Sequence, residues 1–142
     1  MSQTTTKKET AIFAAWLIAL ISSLAVLFIG EVLGQAPCIL CWFQRAFMFP
    51  LAVILGISVL RGDPDVRIYA IPLAMIGAGI ALWHLGLFAG IIPEAVQPCT
   101  LAGPSCTSED MLVLGLPIPL LSLAAFATII ALLLAARTET PK

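Results

Sequence analysis

Residues 37–67 read "PCILCWFQRAFMFPLAVILGISVLRGDPDVR", and this stretch decides the fold. From Trp42 to Leu60 it runs 19 residues with one charge, Arg45, near the start. It then breaks at a short turn holding Arg61, Arg67 and an Asp-Pro pair. A helix crosses the ~30 Å hydrocarbon core of a bilayer in about 20 residues, so the run is long enough to span. Working outward, three further runs qualify: Ala11–Leu33, with Glu31 as its single charge; Ile68–Ile92, with no formal charge and one His; and Met111–Ala136, with no charge. Lipid offers the backbone no water to bond, so such runs predict helices rather than strands.

Composition agrees. Of 142 residues, 61% are hydrophobic and 11% charged, against about 45–50% apolar and about 25% charged in soluble domains. No basic patch is present, which excludes a nucleic-acid binder. The expected fold is all-α: a single membrane domain over residues 1–142, built as an antiparallel four-helix transmembrane bundle. Small residues of the third span, Gly77, Gly79 and Ala81, are expected at the helix contacts. The first apolar run exceeds the ~7–15 residues of a signal-peptide core, and Pro37 stands where a new N-terminus would fall, so it reads as an uncleaved anchor. Residues 1–10 are polar and Thr-rich and are expected to be disordered. "GLPIP" (115–119) should delay the fourth helix until near Pro117 or Pro119, and "TSED" (107–110) offers it an N-cap.

The basic residues orient the bundle. Lys7 and Lys8 precede span 1, Arg61 and Arg67 flank the turn between spans 2 and 3, and Arg137 and Lys142 follow span 4. With four spans these fall on one side, which the positive-inside rule makes the cytoplasm. Both termini are therefore expected inside, with two extracytoplasmic loops. All four cysteines then lie on the outer side: Cys38 and Cys41 at the first loop, Cys99 and Cys106 in the second. Thiols in such a compartment can persist as disulfides. Four cysteines allow three pairings, of which Cys38–Cys41 with Cys99–Cys106 suits the loops best. Zinc held by four cysteines is disfavoured by the oxidising side and the split loops, so no metal is expected.

Pro37-Cys38-x-x-Cys41 closes a loop and opens a helix. Unpaired amides and the dipole at a helix N-terminus stabilise thiolate, as does a nearby cation. Arg45 is four residues after Cys41 and shares its helical face, which marks Cys41 as a candidate reactive thiolate. Arg45 itself has two readings: an interfacial side chain snorkelling to headgroups, or an intramembrane charge kept for function. His84 lies eight residues before the end of span 3. It is either a histidine satisfied within the bundle or a group facing Arg45 and a ligand. Gln44 can serve the same ligand or a headgroup, and Trp42 and Trp83 read more naturally as interfacial or packing aromatics. Cys99 and Cys106 either staple a Pro/Gly-rich loop or exchange with another protein. Two pairs in reach of one another suggest a relay by thiolate attack through mixed disulfides, ending at an acceptor reachable from lipid, such as a quinone.

With "PCILCWFQR" (37–45), "WHLGL" (83–87), the Arg-containing turn, four spans and a loop cysteine pair on the page, the chain resembles the DsbB family of disulfide bond formation proteins, notably its short BdbC-like branch. The resemblance covers about residues 12–135. It implies a quinone-coupled thiol oxidase in a bacterial cytoplasmic (inner) membrane, drawing on ubiquinone or menaquinone of the respiratory chain and reoxidising a DsbA-like thioredoxin-fold partner. It implies Cys41 as the quinone-proximal cysteine with Cys38 as its mate, and Arg45 and His84 about the quinone. It also implies Cys99, paired with Cys106, as the cysteine that forms the mixed disulfide with the partner. Only six residues separate Cys99 from Cys106, so a membrane-lying helix in that loop is not expected. Two competing readings stand beside this one. The first is a non-catalytic four-span protein with stapled loops. The second is a vitamin K epoxide reductase-like quinone reductase, against which the order of the cysteine pairs argues.

Overall fold

The computed structural model describes residues 2–93 and 112–138. It holds four long helices: α1 (Ser2–Leu27), α2 (Ile39–Arg61), α3 (Arg67–Phe88) and α4 (Ile118–Thr138). Each is long and apolar enough to cross a membrane. They form a ring in which α1 neighbours α2 and α4, and α3 neighbours α2 and α4. Leu51, Leu55, Phe126, Ile129 and Leu133 fill its centre with small residues Ala15, Ala19, Ala70, Ala74 and Ala81. Large apolar side chains such as Val53, Ile57, Ile68, Met75 and Leu82 point outward, the arrangement that lipid rather than water favours.

Small residues bring the helices together, as expected, but not all three named. A methyl group at Gly77 would overlap the buried Phe126 ring, whereas one at Gly79 would meet nothing. Two residues turn a helix by about 200°, so Gly77 and Gly79 cannot share a face. Ala81 returns to the core. Gly56 of α2 makes the corresponding close approach to α1, where a methyl carbon would stand 2.8 Å from Trp16 Nε1.

The helix ends differ from expectation in ways that shape the site. The polar residues 2–10 are helical, not disordered. No Gly or Pro interrupts them, and the Thr10 hydroxyl donates back to the Thr6 carbonyl at 2.7 Å, a bond that fits a helix. At its far end α1 widens into a π-helical turn, Phe28–Val32. α2 begins at Ile39, one turn before Trp42, because Cys38 caps it. It runs unbroken through Pro50 to a left-handed Gly62. In the turn that follows, Asp63 accepts from the Asp65 amide at 2.9 Å and Arg67 Nε donates to the Pro64 carbonyl at 2.9 Å. α3 stops at Phe88 rather than Ile92, since Gly90 takes φ +74° and the amides of Ile91 and Ile92 turn back to the Gly86 carbonyl. α4 starts at Ile118, between the two prolines that were expected to delay it. Before it lies a minimal hairpin, Leu112–Val113 (β1) against Leu116–Pro117 (β2), antiparallel with Leu112 opposite Pro117. Leu114 and Gly115 turn it with positive φ, as tight hairpins require. The cap expected from 107–110 lies outside the described residues, as do Cys99 and Cys106.

Candidate active site

The end of α1, the start of α2, the end of α3 and the start of α4 meet at one end of the bundle, and of the sequence-predicted residues the described ones, Cys38, Cys41, Gln44, Arg45 and His84, gather there. Cys38 is the N-cap of α2, with the Cys41 amide donating to its Sγ at 3.3 Å. The Cys38 and Cys41 sulfurs are 2.9 Å apart, and both are free thiols. His84 Nε2 lies 3.8 Å from Cys38 Sγ, and the Gln44 side-chain nitrogen lies 2.9 Å from His84 Nδ1. Cys38 and His84 are fully buried, and Gln44 nearly so.

His84 reaches Cys38 because α3 ends early. Counted from Phe88 it is four residues, or about 6 Å, from the helix end, where the sequence placed it eight residues from the end of the apolar run. The sequence marked Cys41 as the candidate reactive thiolate at the helix start. The structure corrects this, because the cap position and the donated amide belong to Cys38. The Cys38 thiol, just outside the α2 span, is pulled down to about 5 from an ordinary 9.0. The hydrogen bond from the Cys41 side chain is the largest cause, aided by His84 and the Cys41 amide and opposed by burial.

Arg45 points across to α1, and its Nη2 donates to the Val26 carbonyl at 2.8 Å. Its guanidinium carbon lies 5.4 Å from the Trp42 ring centroid, within cation–π range. Arg45 is only 9% exposed, so the snorkelling reading does not describe it. Trp42, half of whose surface is open, therefore has a second task beyond packing, while Trp83 faces outward.

A cavity of about 540 Å³ opens between α1, α2 and the start of α4. Cys38, Cys41, Gln44 and Arg45 line one wall, Val26 and Ile29 of α1 another, and Ile118, Leu121 and Ser122 of α4 a third. Its wall is mostly apolar, with few convergent polar groups, as small-molecule sites commonly are. His84 is not part of that wall. It stands behind Cys38 and Gln44 and acts on the cavity through them. Two features escaped the sequence reading. Ser22 and Ser122 reach the cavity from α1 and α4, and Gly30 leaves room for Arg45: a methyl carbon there would sit 3.2 Å from Arg45 Nη2. A glycine inside an apolar span was the available signal for that close approach.

The chain is similar to known proteins over most of its length. The profile of the family described as "Disulfide bond formation protein DsbB" matches residues 8–136. A "Probable disulfide formation protein" of Metapseudomonas resinovorans is 57% identical over 126 residues, 88% of each chain. One of the same name from Deinococcus radiodurans is 43% identical over 135 residues, 89% of this chain and 88% of its own. The "Disulfide bond formation protein C" of Bacillus subtilis is 38% identical over 122 residues, 84% of this chain and 86% of its own. No solved structure matches the chain significantly.

Proposed function

The chain belongs to the DsbB family of disulfide bond formation proteins, and on that premise we propose that it is a membrane thiol:quinone oxidoreductase that reoxidises a DsbA-like thioredoxin-fold partner. Electrons pass from the partner's dithiol to Cys99 and Cys106, then to Cys38 and Cys41, and leave through a quinone of the respiratory chain. The carrying observation is a free, touching thiol pair on the wall of an apolar cavity that also receives a buried arginine.

The cavity fits a quinone head group by its chemistry: apolar faces on α1 and α4, with Arg45 and Gln44 as hydrogen-bond donors for ring oxygens. Bound there, a quinone supplies a two-electron, two-proton acceptor for each dithiol oxidised. Both cysteines border the cavity; Cys41 is partly exposed, whereas Cys38 is fully buried. Cys38, held as thiolate, is the nucleophile that closes the disulfide as the Cys41 sulfur gives up its electron pair. One proton leaves from Cys41, and the second, which Cys38 has already lost, returns from water. His84 steadies the Cys38 thiolate from behind, and Gln44 steadies His84. Arg45 is tied to Val26 and Trp42, so its position is set before any ligand arrives.

The protein sits in the bacterial cytoplasmic membrane with both termini inside and all four cysteines on the outer side. The loop cysteines take the partner's electrons, Cys99 forming the mixed disulfide. The test is a quinone-reduction assay with a reduced thioredoxin-fold partner. Turnover by the purified protein and its loss in Cys38→Ser and Cys41→Ser are expected; full activity in both variants would overturn the relay.

A further inference from the structure

We propose that Cys38, Cys41 and His84 form a redox-gated zinc site, one that the dithiol form of the protein binds with and the disulfide form does not. The proposal rests on the reading that this pair cycles between the two states. The sequence argued against zinc on four cysteines; this is a different donor set, assembled from α3 and the start of α2.

The two sulfurs and the imidazole nitrogen all lie within 4.8 Å of one another. Tetrahedral zinc, with Zn–S of about 2.3 Å and Zn–N of about 2.0–2.1 Å, sets ligand separations of about 3.8 Å for S···S and about 3.6 Å for S···N. The Cys38 Sγ to His84 Nε2 distance of 3.8 Å already meets this. The sulfurs, now 2.9 Å apart, must part by about 0.9 Å to reach the tetrahedral separation. Cys41 borders the cavity, which leaves its side chain room to turn. The same cavity admits water to the fourth position, completing the three-ligands-plus-water pattern of open zinc sites.

Gln44 gives the site its outer support. A ligating histidine generally donates its other ring N–H to a fixed acceptor, which orients the ring and directs the lone pair. Gln44 is within 2.9 Å of His84 Nδ1. With the carboxamide turned so that its oxygen accepts from Nδ1–H, Nε2 presents its lone pair toward Cys38. Binding forms two Zn–S bonds and one Zn–N bond and releases the thiol proton that Cys41 still holds, with no change of oxidation state. Oxidation of the pair removes two of the three protein ligands, so the disulfide form releases the ion. Zinc on the reduced pair withholds both sulfurs from the acceptor and inhibits turnover.

The test uses Co²⁺ as a spectroscopic probe, titrated into the reduced, detergent-solubilised full chain carrying Cys99→Ser and Cys106→Ser. The expected result is one Co²⁺ per chain, with a thiolate charge-transfer band and strong visible bands of tetrahedral geometry. Zn²⁺ should displace it, and oxidation of the remaining pair should abolish it. Cys38→Ser should eliminate the charge-transfer spectrum, and Gln44→Leu, which keeps all three ligands, should weaken Co²⁺ binding by about 10–100-fold. No charge-transfer band in the reduced protein, a band that survives Cys38→Ser, or affinity unchanged in both His84→Ala and Gln44→Leu overturns the site. Quinone reduction by the unsubstituted chain is measured in parallel. Turnover without a cobalt spectrum overturns the zinc site alone; the spectrum without turnover supports the site and overturns the catalytic reading.

Discussion

Replacing Cys41 with Ala tests what holds Cys38 as a thiolate. In the reduced protein the Cys38 thiol titrates at about 5, with the Cys41 side-chain hydrogen bond the largest cause and burial the main opposing one. A group titrating at about 5 is roughly 99% ionised at pH 7, whereas an unperturbed thiol of about 8.5 is only a few per cent ionised. Cys41→Ala deletes the largest lowering contribution and leaves the burial penalty opposed only by His84 and the residue-41 amide, so Cys38 should move upward and carry less thiolate at pH 7. The assay is thiolate absorbance near 240 nm against pH, in a Cys99→Ser/Cys106→Ser background to silence the loop pair. The parent should show close to one thiolate per chain at neutral pH, lost as pH falls through about 5. The variant should show clearly less at pH 7, with its titration moved upward. The sign carries over to stability: a depressed thiol contributes fully above its unfolded value, progressively less as pH drops, and nothing below the folded value. Undiminished thiolate in Cys41→Ala at pH 7, or a parent titrating near the ordinary thiol value, refutes the reasoning.

Arg45→Ala should raise the quinone KM about tenfold or more, the scale of a lost hydrogen bond to a charged group, while the partner KM stays within about twofold; steady-state kinetics with each substrate varied decides it, and the reverse order removes Arg45 from the cavity's function. Gly30→Val, which crowds the Arg45 guanidinium from α1, should reproduce part of that KM rise without unfolding the bundle, as followed by helical circular dichroism. Gly77→Val should destabilise the bundle by about 1–3 kcal/mol through overpacking against Phe126, with Gly79→Ala near neutral; thermal unfolding in detergent compares the two. A Cys99→Ala chain should fail to trap a mixed disulfide with the reduced partner on non-reducing gels, and trapping through Cys106 instead reverses the assignment of the two loop cysteines.

The bundle was legible in the residue order because lipid imposes one demand on every backbone group, and long apolar runs satisfy it in only one local way. That argument needs no tertiary knowledge, and it located all four helices. It missed their ends where local chemistry outweighed hydropathy. Gly90 halts α3 inside an apolar run, Cys38 starts α2 a turn ahead of one, and the polar residues 2–10 extend α1 because nothing in them breaks a helix.

The thiol pair, Arg45, Gln44 and His84 were also legible, as residue types that lipid does not tolerate without cause. Their division of labour was not. Spacing along one chain says that Arg45 follows Cys41 by a turn, but the guanidinium has partners on α1 that no local pattern specifies. Residues 44 and 84 are hydrogen-bonded, and 38 and 84 are in contact, only because α2 and α3 pack side by side with their site ends level. Sequence alone thus determined which groups the protein owns and that they lie in a membrane-spanning bundle. Only the tertiary structure decided that Cys38 takes the cap and the histidine and that both cysteines border one cavity with Arg45, because helix packing, not spacing, sets which side chains from different segments meet.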